Sequence, residues 1–293
     1  MSVLFGEPTY GWRADLNAEA LSCLMERNDA KTTDLAPQLT ELQGQLGALR
    51  PLTSAQLAQA WPMVENESVY YTYATNAIEG STLTRGETVN LLEYGVTVGG
   101  KPMRDHLDAV NGQAAFLKML EMVRTKAPIT ESIVKDFHQI VAGADTPSAG
   151  LYRVDQRFIT GSLHVPPAAH KVRDRMAELM WTYNHDIELG EHPVAVAARL
   201  HYGIGNIHPF TDYNGRTSRL VMNMHLLEYG YMPITIDLAE RPKYLEALEV
   251  ASRSGNALDG DPARGNASLF VLYIATMERQ SLERYMAVIN QCD

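Results

Sequence analysis

Cysteine is scarce. Only two occur in 293 residues, Cys23 and Cys292, so a disulfide framework is excluded and a reducing, cytoplasmic setting is expected. No apolar run approaches the ~20 residues needed to span a bilayer. The N-terminus has no basic segment followed by an apolar one, so no secretory signal is expected. Positive charge is short as well: 25 Lys+Arg face 35 Asp+Glu, a formal net charge of −10. Phosphate-backbone binding across a broad surface is disfavoured by that balance, and nucleic acid and membrane are both set aside as partners. HExxH and CxxC are absent, and the histidines do not cluster at zinc-ligand spacing. His201 reads as a partly buried structural residue. Gly95-Val-Thr-Val-Gly-Gly-Lys101 begins like a P-loop, but Pro102 stands where a Ser or Thr hydroxyl is needed, and a helical pattern precedes it.

What is present is apolar content of 45% in a chain long enough to bury a substantial core without staples. Its period is helical almost throughout, which places the chain in the all-α class as a helical bundle. Leu35, Leu39, Leu42, Leu46 and Leu49 form a leucine seam, read as an amphipathic helix packed on the main body. Thr84 with Glu87 predicts a capping box, and Gly95 the end of that helix. Thr130 caps the next predicted helix. Val172, Met176, Leu179, Met180 and Tyr183 make a further stripe. Pro193 opens a helix running to about Ile207, and another is expected over Arg216 to Tyr229. Arg157 to Val165 is short and glycine-centred, and reads as a small β-hairpin or flap. Residues 1–65 read as a helical extension and 66–293 as the main body.

One stretch carries chemistry: His208-Pro-Phe-Thr-Asp-Tyr-Asn-Gly-Arg-Thr-Ser-Arg219. A helix ends before His208-Pro209, and a second starts near Asn214-Gly215. Unpartnered N–H groups at the new helix start make an anion site, and a glycine there lets the anion approach closely. Arg216 and Arg219, three apart, can flank the same anion. Asp212 beside an anion calls for a hard cation such as Mg²⁺, and His208 supplies a base near neutral pH. The combination suits transfer chemistry on a phosphate ester. The alternative is an ordinary helix–loop–helix corner with charged residues on its surface.

HPFTDYNGRTSR resembles the signature loop of Fic-domain proteins, HPFx[D/E]GNGRxxR, at all but one specified position. GLYRVDQRFITGSLHVPP (150–167) resembles their flap. GYMPITI (230–236) and RPKYLEAL (241–248) resemble the segments C-terminal to the loop helix in the adenylylating branch. Thr75-Asn-Ala-Ile-Glu79-Gly80 is similar to the inhibitory motif [S/T]xxxE[G/N] of class II members, although Thr75 and Glu79 also suit one exposed helix face.

The resemblance implies a Fic fold with the inhibitory helix around 66–80. It implies a protein adenylyltransferase that moves AMP from ATP to a Ser, Thr or Tyr hydroxyl of an unknown target protein. His208 is then the catalytic base and Asp212 the Mg²⁺ ligand. Tyr213, Asn214, Gly215, Arg216, Thr217, Ser218 and Arg219 line the nucleotide site, with Tyr244 near the adenine. Flap residues Ile159, Thr160, Gly161, Ser162 and Leu163 hold the target by strand-like pairing. Thr75 and Glu79 are inhibitory, Glu79 engaging Arg219. A homo-oligomer is expected because relatives commonly dimerise. The departure is Tyr213, where the family has Gly. It leaves open a weak nucleotide-binding regulator; removal of AMP by the same site, with Glu79 orienting a water, and transfer of another group also stay open.

Overall fold

The computed structural model describes residues 35–45, 47–48, 53–254 and 267–290. Cys23, Cys292, Leu46 and Leu49 lie outside the described residues. Ten helices occur in them: α1 (35–45), α2 (Ser54–Ile78), α3 (Arg85–Tyr94), α4 (Met103–Arg124), α5 (Glu131–Ala142), α6 (Val172–Glu188), α7 (Pro193–Ile207), α8 (Asn214–Glu228), α9 (Arg241–Ser254) and α10 (Ser268–Ile289). Two short 3₁₀ turns, Ala169–Lys171 and Leu238–Glu240, lead into α6 and α9. No strand occurs among the described residues, and no helix there is long and apolar enough to cross a membrane.

The predicted caps are in place. Thr84 and Glu87 close a capping box at α3, whose end is Gly95 in the left-handed region. Thr130 accepts from Ile133 N–H at α5, and Pro193 is the first residue of α7. α8 begins at Asn214, where the loop reading placed its start, with Tyr213 as its N-cap. α2 runs without a break across position 65. In α1, Leu39 is buried while Leu35 and Leu42 pack beside it on the core formed by α7, α9 and α10, so these leucines serve internal packing.

The expected β-hairpin at Arg157 to Val165 is corrected to a turn without a ladder. Ser162 N–H donates to Ile159 O at 3.1 Å around Gly161, whose φ is +81°, a turn that favours glycine at its third position. Gln156 Nε2 joins the limbs through the Pro166 carbonyl at 3.0 Å, and the C-terminal limb is fastened to helices. Leu163 N–H donates to Glu249 Oε1 (3.0 Å) and Ser162 Oγ to Glu249 Oε2. The ring of His164 meets the Asn206 carbonyl at 2.8 Å.

α8 lies at the centre, packed by α7, α4 and α5. It is buried almost all round although half its residues are polar, so each polar group needs an internal partner. Asn223 exchanges two hydrogen bonds with the backbone of Ile234 (2.8 and 3.0 Å), and His225 Nδ1 meets the Tyr183 hydroxyl at 3.0 Å. α7 approaches α6 closely at Gly203, where an added Cβ would stand 2.4 Å from Leu179 Cδ1 and 3.3 Å from its Cγ. Glycine inside a helix normally costs about 1 kcal/mol against alanine, but overpacking a buried Leu costs about 1–3 kcal/mol. Gly203→Ala is therefore expected to lower the urea midpoint; a raised midpoint would show that Leu179 yields freely.

Candidate active site

The loop from His208 to Tyr213 joins α7 to α8. His208 ends α7 in the left-handed region (φ 50°, ψ 58°), its N–H still bonded to Ile204 O at 3.0 Å. Three residues outside the motif or inward of it hold the loop. Asn214 clips it internally: its Oδ1 accepts from Phe210 N–H (2.9 Å) and its Nδ2 donates to Phe210 O (3.0 Å). His138 of α5 stacks on Phe210 at 3.8 Å. Its Nδ1 accepts from Gly150 N–H at 2.8 Å, which leaves Nε2 to donate to the Asp212 carbonyl at 3.3 Å. Buried Arg153 donates from Nε to His208 O (2.8 Å), while its N–H reaches Pro209 O (2.9 Å) and its Nη2 the Pro167 carbonyl. One side chain thus stitches both limbs of the flap region to the base.

His208 is half-buried. Burial pushes its imidazole down from 6.5 to about 4; a ring N–H given to the Gly205 carbonyl opposes the shift and the nearby Arg153 charge reinforces it. The ring is neutral at physiological pH, the form a general base requires.

The N-terminus of α8 carries no side-chain cap, so its first N–H groups and helix dipole face outward as an anion cradle. The cradle faces Glu79. A Cβ added to Gly215 would stand 2.6 Å from Glu79 Oε1 and 3.1 Å from Arg219 Nη1, so any other residue would push the carboxylate from this position. Arg219 is 2% exposed, and each of its three nitrogens has a partner: Nε bonds Thr75 Oγ1 (2.8 Å), Nη2 bonds Thr75 O (3.2 Å) and Glu79 Oε1 (2.7 Å), and Nη1 bonds the Tyr244 hydroxyl (3.3 Å). Partial burial works against ionising Glu79, but the Arg219 charge and hydrogen bond, with Arg216 behind them, hold its carboxyl below the usual range.

The end of α2 explains why Glu79 points there. Glu79 is the C-cap, Gly80 follows at φ +93°, and the bonds Gly80 N–H to Ala77 O and Ser81 N–H to Asn76 O, both 3.0 Å, make a Schellman motif. Arg219 takes the Thr75 carbonyl and Arg241 Nε the Ile78 carbonyl (2.7 Å). All four terminal carbonyls of α2 are thereby satisfied, two of them by arginines at the negative end of the helix dipole.

The other charges are paired off too. Arg216 Nη1 lies 2.8 Å from Asp108 Oδ2 of α4, and Arg104 Nη2 lies 2.6 Å from Asp212 Oδ2. Partial burial opposes ionisation of Asp212, but the Tyr213 N–H and Arg104 outweigh it and keep the carboxyl low. Asp212 is half-exposed, and a single accessible carboxylate shared with phosphate oxygens fits a hard, oxygen-seeking divalent cation. Tyr213 does adopt the left-handed region, at φ 60°, which is uncommon for a bulky residue. Its ring is held on the α4 side, with its hydroxyl donating to Asp108 Oδ1 at 3.1 Å.

Residues 128–226 match the model of the Fic/DOC family. The chain carries the domain of that family. It is 31% identical over 278 residues to the protein adenylyltransferase Fic of Drosophila ananassae, spanning 92% of this chain and 52% of that protein. It is 30% identical over 231 residues to protein adenylyltransferase fic-1 of Caenorhabditis briggsae, spanning 78% of this chain and 43% of that one. The chain spans about half the length of the curated relatives it matches. Among solved structures, a Fic domain containing signaling protein from Bacteroides thetaiotaomicron is similar with a TM-score of 0.78 at 27% identity, over 86% of this chain and 98% of that one.

The residues expected at the site separate into groups. Gly215, Arg216, Arg219, Glu79 and Thr75 converge, and Asp212 stands beside them. Thr217 and Ser218 are turned into the interior, Ser218 Oγ bonding Gly215 O at 2.9 Å. Tyr244 is buried, its hydroxyl between Arg219 and His201 (2.9 Å). Ile159, Ser162 and the exposed Thr160, Gly161 and Leu163 form the turn. The sequence reasoning missed Arg104, Asp108, His138, Arg153 and Glu249. Only the i, i+4 spacing of Arg104 and Asp108, and a histidine on the apolar face of α5, offered any signal.

Burial lowers six histidines, His164 and His192 among them, and four of them furthest: His138, His208 and His225 to about 4, and His201 to about 3. As pH falls below 6.5 the unfolded chain takes up these protons first, so each such ring removes stability down to its folded value. Glu228, pushed up to about 7 by burial, and Glu278, pushed well up, act in the opposite sense over that range. The discriminating measurement is therefore ring by ring: NMR is expected to show all four imidazoles neutral down to pH 5. A His208 ring half-protonated near pH 6.5 would contradict the site as described.

Proposed function

We propose that this chain is a protein adenylyltransferase, transferring AMP from ATP to a Ser, Thr or Tyr hydroxyl of another protein and held back by its own Glu79. The observation that carries the reading is the Glu79 carboxylate lying over Gly215 at an uncapped helix N-terminus, against Arg219. A polyphosphate needs that same cradle and that same arginine, so carboxylate and triphosphate exclude each other.

On this reading residues 66–293 are the Fic domain, with the end of α2 as its inhibitory segment, and residues 1–65 are an extension. The chain works in the cytoplasm as a homo-oligomer. With Glu79 withdrawn, the α8 N–H groups, Gly215, Arg216 and Arg219 receive the phosphates, and the turn around Gly161 receives the target segment. His208 accepts the proton of the target hydroxyl as its oxygen bonds to the α-phosphorus. The bond from that phosphorus to the β-phosphate bridge oxygen breaks, and pyrophosphate leaves. Mg²⁺, held through Asp212, would neutralise charge on the phosphates. The names of the curated relatives support the reaction class, and the neutral His208 supports the role of base.

Incubation of the purified chain with labelled ATP and Mg²⁺ is expected to give weak self-labelling. Glu79→Gly should raise it at least ~10-fold, since it frees a buried arginine from a charged hydrogen bond. Adding His208→Ala should cut the rate by about 10²–10⁴, the usual contribution of a general base. In the Glu79→Gly chain the acid limb of kcat/KM should fall at about 4, with activity lost as pH drops through it and the ring takes up a proton. Equal labelling with and without Glu79 would defeat the inhibition claim, and an acid limb at 6.5 would show that burial does not lower the His208 imidazole once Glu79 is gone.

A further inference from the structure

Charge in this site is compensated from α4, which the loop motif does not include. The exposed Arg104 guanidinium sits 2.6 Å from Asp212 Oδ2 and 5.5 Å from the centre of the Tyr213 ring. One turn further along α4, buried Asp108 is shared three ways. Its Oδ2 pairs with Arg216 Nη1 at 2.8 Å and lies 3.7 Å from Arg104 Nε, and its Oδ1 accepts the Tyr213 hydroxyl at 3.1 Å. The Tyr213 ring also lies 4.0 Å from the Arg216 guanidinium carbon. A tyrosine in the left-handed region is thus held by two cation–π contacts and a charged acceptor, which offset its backbone strain.

We propose that Arg104, seated by Tyr213 and Asp108, is a cationic stand-in on Asp212 that sets how much divalent cation the site requires before it accepts a nucleotide polyphosphate. The proposal rests on the adenylyltransferase reading, in which the polyphosphate lies at Gly215 and the cation at Asp212. A guanidinium against Oδ2 already compensates the carboxylate charge, and an arriving cation meets a like charge on the same oxygen. The cation must displace Arg104. Both partners are more than half exposed (59% and 53%), so the pair is weak and displacement costs a small factor in concentration, not orders of magnitude. Glycine at position 213 would leave Arg104 without the ring it lies against, so the one departure from the family loop and this non-motif arginine act as a unit. Arg104 here is a positioning residue: it acts through Asp212 and touches neither substrate nor reacting atoms.

The test uses the full chain carrying Glu79→Gly. Binding of a non-hydrolysable ATP analogue is titrated calorimetrically over a range of magnesium concentrations and in EDTA. Adding Arg104→Ala is expected to lower the magnesium concentration for half-maximal nucleotide binding by about twofold to fivefold, with affinity at saturating magnesium unchanged. Arg104→Lys, which keeps the charge, should hold the parent requirement. Tyr213→Gly should shift it in the same direction as Arg104→Ala, and the double variant should shift no further. An unchanged magnesium requirement in Arg104→Ala overturns the proposal. So does a uniform loss of affinity at every magnesium concentration, which would make Arg104 a phosphate ligand. If the Glu79→Gly chain binds no analogue under any condition, the adenylyltransferase reading itself falls and takes this proposal with it.

Discussion

Arg219 is a permanent charge with almost no access to water. A guanidinium cannot shed its proton to escape burial, so every donor has to find an acceptor inside the protein. The acceptors come from the end of α2 and from Tyr244. That requirement locks the C-terminus of α2 against the start of α8, although the two lie well over a hundred residues apart in sequence. The Schellman geometry at Gly80 turns the chain away at once, so Glu79 is delivered to Arg219 as a helix cap. Glycine at position 215 lets the carboxylate keep that place, because an added Cβ would stand 2.6 Å from Glu79 Oε1 and displace it. Glu79 itself is 38% exposed, so solvent screens this pair. Most of the compulsion therefore comes from the buried arginine and less from the carboxylate.

The same compensation recurs around the loop: Asp108 on Arg216 and Arg104 on Asp212. Without an external anion the site is electrically closed by the chain itself, and opening it means exchanging internal partners for external ones. The loop backbone, by contrast, is held by groups with nothing to exchange. Asn214, His138 and Arg153 satisfy its carbonyls and N–H groups directly. A rigid loop carrying replaceable ion pairs is a sensible division for a site that has to admit a highly charged ligand without rebuilding its base.

Much of the fold was readable in advance because its signals are local. The Thr84–Glu87 box, the Thr130 cap, Pro193 and the apolar stripes each act within one or two turns of helix. The β-hairpin was expected because glycine-centred apolar segments suit one, and nothing local reveals that Glu249 takes the Leu163 N–H a partner strand would take. Asn214, Thr217 and Ser218 turn their side chains into the protein, since a motif records which residues recur and not which way each one points.

The sequence by itself determined an all-α chain, a tight His208–Arg219 loop opening a helix, and a Thr75–Glu79–Gly80 helix end, because capping, periodicity and turn chemistry are properties of neighbouring residues. Only the tertiary structure decided which charges meet. It placed the Glu79 carboxylate over Gly215, gave Asp108 to Arg216, and set Tyr213 on α4 beside Arg104. Those choices come from burial: once α8 became the central helix, its arginines lost their water and had to be neutralised by whatever α2 and α4 brought within reach.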